Sequence, residues 1–142
     1  MQLLEYPKRL LLIAETVNRW AGQLAALDRT RRAKVARYAQ SIAETLGRAA
    51  RFSVRLAAAP EDTKARRGLI REFGRITGYL ETLVGVLQHH LDGRKLAGVK
   101  RRLEQLGPGR TAEEHEAAAR IRVDRLLAAE GYFRALADGL RV

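Results

Sequence analysis

The sequence predicts an all-α chain, an antiparallel helical bundle of four long helices plus one short helix, and three observations carry that expectation. Apolar residues recur in steps of three and four along most of the chain. No stretch alternates apolar and polar residues with period two. The breaks in the pattern are short links rather than long loops. At 142 residues the chain has room for one core and not for two ordinary domains, so residues 1–142 are read as a single helical-bundle domain.

The first helix places Leu10, Ile13, Val17, Trp20, Leu24 and Leu27 on one face, with Pro7 in the first turn, where its missing N–H is not needed. The link "LDRT" follows, and Asp28 or Thr30 can cap the next helix. That second helix carries Val35, Ala39, Ile42, Leu46, Ala49, Ser53 and Leu56 and runs to about Ala58. At 1.5 Å per residue it is roughly 42 Å long. In "APEDTK", Pro60 cannot continue the preceding ladder, while Glu61 and Asp62 favour a new N-terminus. The third helix places Leu69, Phe73, Ile76, Leu80, Leu83 and Leu87 on one stripe and is expected to end at Asp92-Gly93, with Gly93 in the left-handed position after it. A shorter fourth segment carries Leu96, Val99, Leu103 and Leu106 and stops at "GPG" (107–109). Thr111 and Glu114 form a capping-box pattern for a final helix over about 112–140, marked by Val123, Leu126, Leu127, Phe133, Leu136 and Leu140.

One stretch of the third helix, "REFGRITGYLETLVGVL" (71–87), contains Gly74, Gly78 and Gly85, each costing about 1 kcal/mol relative to alanine in a helix. With Leu69 as zero and 100° per residue, the apolar stripe falls within about 40° of zero, and these glycines fall at about 140°, 180° and 160°. Arg67, Arg71 and Arg75 share that back face, at about 160°, 200° and 240°. The expectation is that Gly74, Gly78 and Gly85 admit a second helix, from this bundle or from another copy. Close approach of a nucleic-acid backbone and neutral drift on an exposed face are the alternatives.

The charge points the same way. Lys and Arg number 27 against 16 Asp and Glu, a net +11, and 22 of the 27 are arginine. Arginine suits phosphate because its planar fork donates bidentately, although a GC-rich genome also enriches it. The charge is concentrated: residues 29–75 carry 13 basic and 4 acidic side chains, and residues 94–110 carry 6 and 1. On the second helix Arg37, Arg48, Arg51 and Arg55 lie opposite the core stripe. If helices two and three pair around Pro60, Arg48, Arg51 and Arg55 come level with Arg67, Arg71 and Arg75. Glu44 and Glu72 offset part of this charge. These arginines, with Lys100, Arg101 and Arg102 of the second block, are the candidate nucleic-acid contacts.

Other chemistry is thinly supplied. There are no cysteines, so disulfides and thiolate sites are excluded. The only serines, Ser41 and Ser53, sit in helix interiors, no Glu-x-x-His pair occurs, and phosphate-loop motifs are missing. His89 and His90 diverge by about 100° on a helix and read as surface residues rather than metal ligands. Tyr38, Phe52, Tyr79, Tyr132 and Phe133 read as core or seam residues, so backbone binding is favoured over base stacking. No apolar run approaches the roughly 18 to 20 residues of a membrane span, and "PKRLLLIAETV" lacks the features of a signal peptide, so a soluble cytoplasmic protein is expected. No cofactor and no metal are expected.

The hairpin "RRAKVARYAQSIAETLGRAARF…APEDTK…REFGRITGYLETLVGVL", within residues 31–91, resembles the central hairpin of small bacterial four-helix-bundle proteins. These include the accessory protein of diversity-generating retroelements and its relatives encoded in ribosomal intervening sequences. The resemblance implies a basic, oligomeric bundle, often pentameric, that works with nucleic acid and a partner enzyme. It maps no site onto individual positions, and "GPG" and the long final helix depart from the family's compact pattern. The helical small subunits of CRISPR effector complexes are a second comparison of the same kind.

The residues therefore point to a non-enzymatic, basic subunit that binds an RNA or DNA backbone and assembles with itself or a partner, with no catalytic residues. The alternative is a protein–protein adaptor or oligomerisation module without nucleic acid. A third reading is a HEPN-like ribonuclease, from the spacing of Arg110 and His115 in "RTAEEH".

Overall fold

A computed structural model describes residues 3–106 and 118–141. Among these residues the chain is all helical and contains no strand. A short 3-10 turn, Leu3–Glu5, leads into α1 (Tyr6–Arg19) and the five-residue α2 (Ala21–Ala25). The long α3 (Arg29–Ala58) and α4 (Thr63–Leu87) follow, then α5 (Gly93–Glu104), a 3-10 turn at Ala118–Arg120, and α6 (Val123–Leu140).

The helix starts follow from short acidic side chains. Asp28 accepts the Arg31 backbone N–H at 2.9 Å to begin α3, Asp62 accepts that of Ala65 at 3.0 Å to begin α4, and Asp92 accepts that of Arg94 at 2.8 Å to begin α5. Gly93 is thus the first residue of α5, not a left-handed residue closing α4, which ends at Leu87. No glycine among the described residues has positive φ. Two further boundaries differ from expectation. The first helix is interrupted at Trp20, where a tight turn lets Trp20 and Leu24 both enter the core. The described part of the last helix begins at Val123 rather than near 112, after the non-helical Ile121 and Arg122. The capping-box residues Thr111 and Glu114, and the GPG link, lie outside the described residues.

Central to the packing is α3. It runs along α4 on one face and along α6 on another, while α1 packs against α6 and α5. The α3–α4 pair is a helical hairpin, and its register can be read from the contacts. Tyr38 meets Tyr79, Arg48 meets Glu72, the Phe52 ring meets Gly68, and Arg55 meets Asp62, so each step up α3 is matched by a step down α4. The apolar stripes of α3 and α4 are buried as the spacing requires, from Val35 to Leu56 and from Leu69 to Leu87.

The start of α1 is fixed to the middle of α4 by Tyr6. Its ring stacks on Phe73 at 4.0 Å between centroids and 17° between planes. Its hydroxyl donates to the Phe73 carbonyl at 2.8 Å and lies 2.9 Å from Thr77 Oγ1. Burial pushes the pKa of this phenol well above its ordinary value. Two residues expected in the core or its seams are exposed: Leu127 is half exposed, while its neighbour Leu126 is buried, and Tyr132 is also exposed.

Candidate nucleic-acid interface

The site is built where α3 ends and α4 begins. Pro60 interrupts the α3 ladder, and Asp62 starts α4 four residues after Ala58, so the two helix ends are held together. Arg66 fastens the link by donating to the Pro60 carbonyl at 2.7 Å. Gly68 then allows a close approach. A Cβ built there would lie 2.6 Å from Phe52 Cζ, far inside van der Waals contact, so the Phe52 ring occupies the space a side chain would fill. The Arg55 guanidinium lies 5.8 Å above the centroid of that ring.

Around Phe52 and Gly68 runs a groove lined by Arg55 of α3 and by Thr63, Lys64, Arg67 and Arg71 of α4. Lys64, Arg67 and Arg71 are spaced three and four apart, so they project from one face of α4. None of them pairs with a carboxylate among the described residues. The groove lining contains no acid; of the two acids in the link, Glu61 is exposed and Asp62 is already engaged, accepting the Ala65 N–H and an Arg55 N–H at 3.2 Å. Those bonds, the backbone one first, hold its carboxyl below the usual range. The groove is therefore cationic and can hold phosphate oxygens through forked guanidinium donors.

Of the expected contact residues, Arg55, Arg67 and Arg71 come together in this groove, and the others do not join them. Arg48 and Arg75 are held by the buried carboxylate of Glu72, at 3.4 Å and 3.6 Å. Glu44 does not pair with Arg48; it accepts from Gln40 at 2.9 Å. Arg51 faces a different groove, between α3 and α6, beside the exposed apolar side chains of Val54 and Leu127. Arg37 lies at the far end of α3 with Arg29, Arg32 and Arg141. Eighteen residues of helix separate it from Arg55, which is about 27 Å. On α5, Lys100 shares a shallow groove with Glu81 and Glu104, Arg101 is exposed, and Arg102 turns toward α1.

The glycine expectation is corrected for the chain itself. Gly74, Gly78 and Gly85 are exposed, and a Cβ built on any of them meets nothing within 4 Å. Among the described residues no helix touches these glycines: α3 and α1 approach α4 from its apolar stripe, and α5 borders only Gly85, across an open groove. The glycine that does admit a neighbour is Gly68. Sequence reasoning missed it and Lys64; the run "KARRG" (64–68) held both, but their pairing with Phe52 depends on the hairpin register.

His89 and His90 are exposed after the end of α4, and among the described residues no three His, Cys, Asp or Glu side chains converge as a metal site would require. No described helix is long and apolar enough to cross a membrane. Arg110 and His115 lie outside the described residues. No protein-family model, no curated protein and no solved structure matches this chain.

Proposed function

We propose that the chain is a non-enzymatic, basic subunit, its helices arranged as an antiparallel bundle, that binds a nucleic-acid backbone and assembles with itself or with a partner protein. The observation that supports this reading best is the groove at the α3–α4 link. There Arg55, Lys64, Arg67 and Arg71 converge on a lining that contains no acid, while Asp62 of the adjacent link is committed to capping α4 and to Arg55. Keeping four like charges together costs stability unless an anion offsets them, and a chain of phosphates does so. The resemblance of residues 31–91 to the retroelement-accessory hairpin supports the assembly half of the reading, and the exposed glycines of α4 leave room for a neighbour to approach its backbone closely.

Fluorescence anisotropy with labelled RNA and DNA at several salt concentrations tests the binding. Each phosphate neutralised adds about −0.7 to −0.9 to the log–log salt slope, so changing Lys64, Arg67 and Arg71 together to glutamine should lower the slope by about 2 to 3. No binding at about 50 mM salt, or an unchanged slope in the triple variant, overturns the reading.

A second reading, a protein–protein adaptor, is favoured by one observation. Val54 and Leu127 are 57% and 51% exposed and face one another's groove between α3 and α6. Under the ribonuclease reading purified protein would cleave RNA without metal; the expected outcome is no cleavage, and cleavage abolished by His115→Ala would make this chain an enzyme.

A further inference from the structure

A second basic groove lies where the end of α1 meets α5, and it involves none of the residues of the hairpin groove. Its cationic lining is Arg19 of α1 with Arg94, Lys95 and Arg102 of α5, and Thr16 and Gly98 lie between them. Arg94, Gly98 and Arg102 recur every four residues, so they form one stripe on α5, and the missing side chain at Gly98 keeps the space between the two arginines open: a Cβ there meets nothing within 4 Å. Trp20, buried and the only tryptophan in the chain, forms part of the wall.

The arrangement around Thr16 is specific. Its hydroxyl donates its one proton to the Leu12 carbonyl at 2.8 Å, which leaves its lone pairs to accept. Arg102 Nη1 donates to it at 3.2 Å and Arg19 Nη2 at 3.4 Å. Two guanidinium groups from different helices are thus gathered on a single neutral oxygen. Among the described residues none of the four cations pairs with a carboxylate; the groove lining contains no acid, Asp92 is spent on capping α5, and Glu104 of α5 lines the separate groove against α4. A hydroxyl contributes no charge to offset this repulsion, while each guanidinium retains further N–H donors in its fork.

We infer that this α1–α5 groove binds a phosphomonoester. Four cations around one opening match a group carrying close to two negative charges and three strong acceptor oxygens better than a backbone phosphodiester with one charge. A phosphomonoester reaches a protein in two forms, as the 5′-phosphate end of a nucleic-acid strand or as a free small phosphate or nucleotide. The recognition chemistry is the same for both. The inference stands independently of the hairpin groove, because its residues and its probe are different.

Trp20 supplies the readout. Titrating inorganic phosphate, and separately AMP, into the purified chain should change Trp20 fluorescence saturably, with isothermal titration calorimetry as a second measure. Arg19→Gln/Arg102→Gln should weaken the affinity at least tenfold while circular dichroism stays native, and a change at the exposed Lys34, Lys34→Gln, which lies in neither groove, should leave it unchanged. A 5′-phosphorylated oligonucleotide that binds several-fold tighter than its 5′-hydroxyl counterpart, with the difference lost in Arg19→Gln/Arg102→Gln, identifies the strand end as the source. Equal binding of the two oligonucleotides, with AMP and phosphate still binding, identifies the free phosphate. Absence of saturable phosphate or AMP binding by both methods, or binding unaffected in a folded Arg19→Gln/Arg102→Gln variant, overturns the inference.

Discussion

Substituting the glycines of α4 one group at a time separates close approach from open surface. At Gly68, alanine gains about 1 kcal/mol of intrinsic helix propensity. Its Cβ would also lie 2.6, 2.7 and 2.8 Å from Phe52 Cζ, Cε1 and Cε2. Carbon atoms settle near 3.5 to 4.0 Å, so the ring must move by about 1 Å. Overpacking of this kind costs typically 1 to 3 kcal/mol, and moving the ring also disturbs the Arg55 stack above it. The steric cost should win, leaving Gly68→Ala destabilised by up to about 2 kcal/mol, a fall in melting temperature of several degrees for a chain of this size. Gly74, Gly78 and Gly85 have no neighbour to meet. Each should gain roughly 0.5 to 1 kcal/mol as alanine, so the triple variant should melt above wild type. Thermal unfolding followed by circular dichroism, with molar mass by light scattering, measures both. If Gly68→Ala melts as high as the triple variant, Phe52 yields freely and the close-approach argument is wrong. If the triple variant melts below wild type or changes its mass, another copy of the chain packs on the glycine face.

Three other perturbations read the same structure. Glu72→Ala leaves Arg48 and Arg75 without their shared partner; because those side chains are 36% and 49% exposed, they regain water, and the expected cost in urea unfolding is about 1 to 2 kcal/mol rather than the 3 to 5 of a fully buried pair. The Asp28 and Asp62 carboxyls are held below the usual range, in each case first by a backbone N–H, that of Arg31 or of Ala65. Their folded pKa values lie below the unfolded value of about 3.9, so the stabilisation is complete above that value and is lost as pH falls through the folded one. Urea midpoints should therefore drop between about pH 5 and pH 2, and Asp28→Ala/Asp62→Ala should flatten that drop. Tyr6→Phe removes a hydroxyl that donates to the Phe73 carbonyl and should cost about 0.5 to 1.5 kcal/mol in the same assay. Since burial raises the Tyr6 pKa, the unfolded chain loses this proton first above about pH 10, and wild type should lose stability there more steeply than Tyr6→Phe.

Faces around a helix were legible in the sequence, because one angle per residue fixes them. Every apolar position assigned to the stripes of the second and third helices is buried, and Asp28 and Asp62 cap where a short acidic side chain precedes a periodic run. Boundaries that depend on packing were not legible. Nothing local marks the break at Trp20, which carries no proline and arises where Trp20 and Leu24 both turn inward. Leu126 and Leu127 are chemically alike, and only contact with α1 and α3 decides which is buried. The same limit governs the basic residues. Arg37 and Arg55 share a face of α3, yet position along the axis puts one beside α6 and the other at the hairpin link. The angle also exposed Gly74, Gly78 and Gly85 as lying off the core stripe without saying whether anything covered them.

Register turns one sequence block into two kinds of arginine. Where Arg48 and Arg75 meet Glu72, positive charge is neutralised at a buried carboxylate and ties α3 to α4. One to two turns nearer the link, the same register sets Gly68 against Phe52, and Arg55, Lys64, Arg67 and Arg71 line one groove that has no acid in its lining and one paired acid, Asp62, beside it. Closeness of the two helices raises the local potential, and that works against the hairpin and in favour of any anion that enters. Binding and hairpin stability are thereby linked: an anion that occupies the groove in the folded state, and has no such groove to bind in the unfolded chain, stabilises the hairpin by mass action. A cationic surface spread evenly over the helices would not produce this coupling, because its charges would be too far apart to oppose folding appreciably beyond a screening length of about 8 Å.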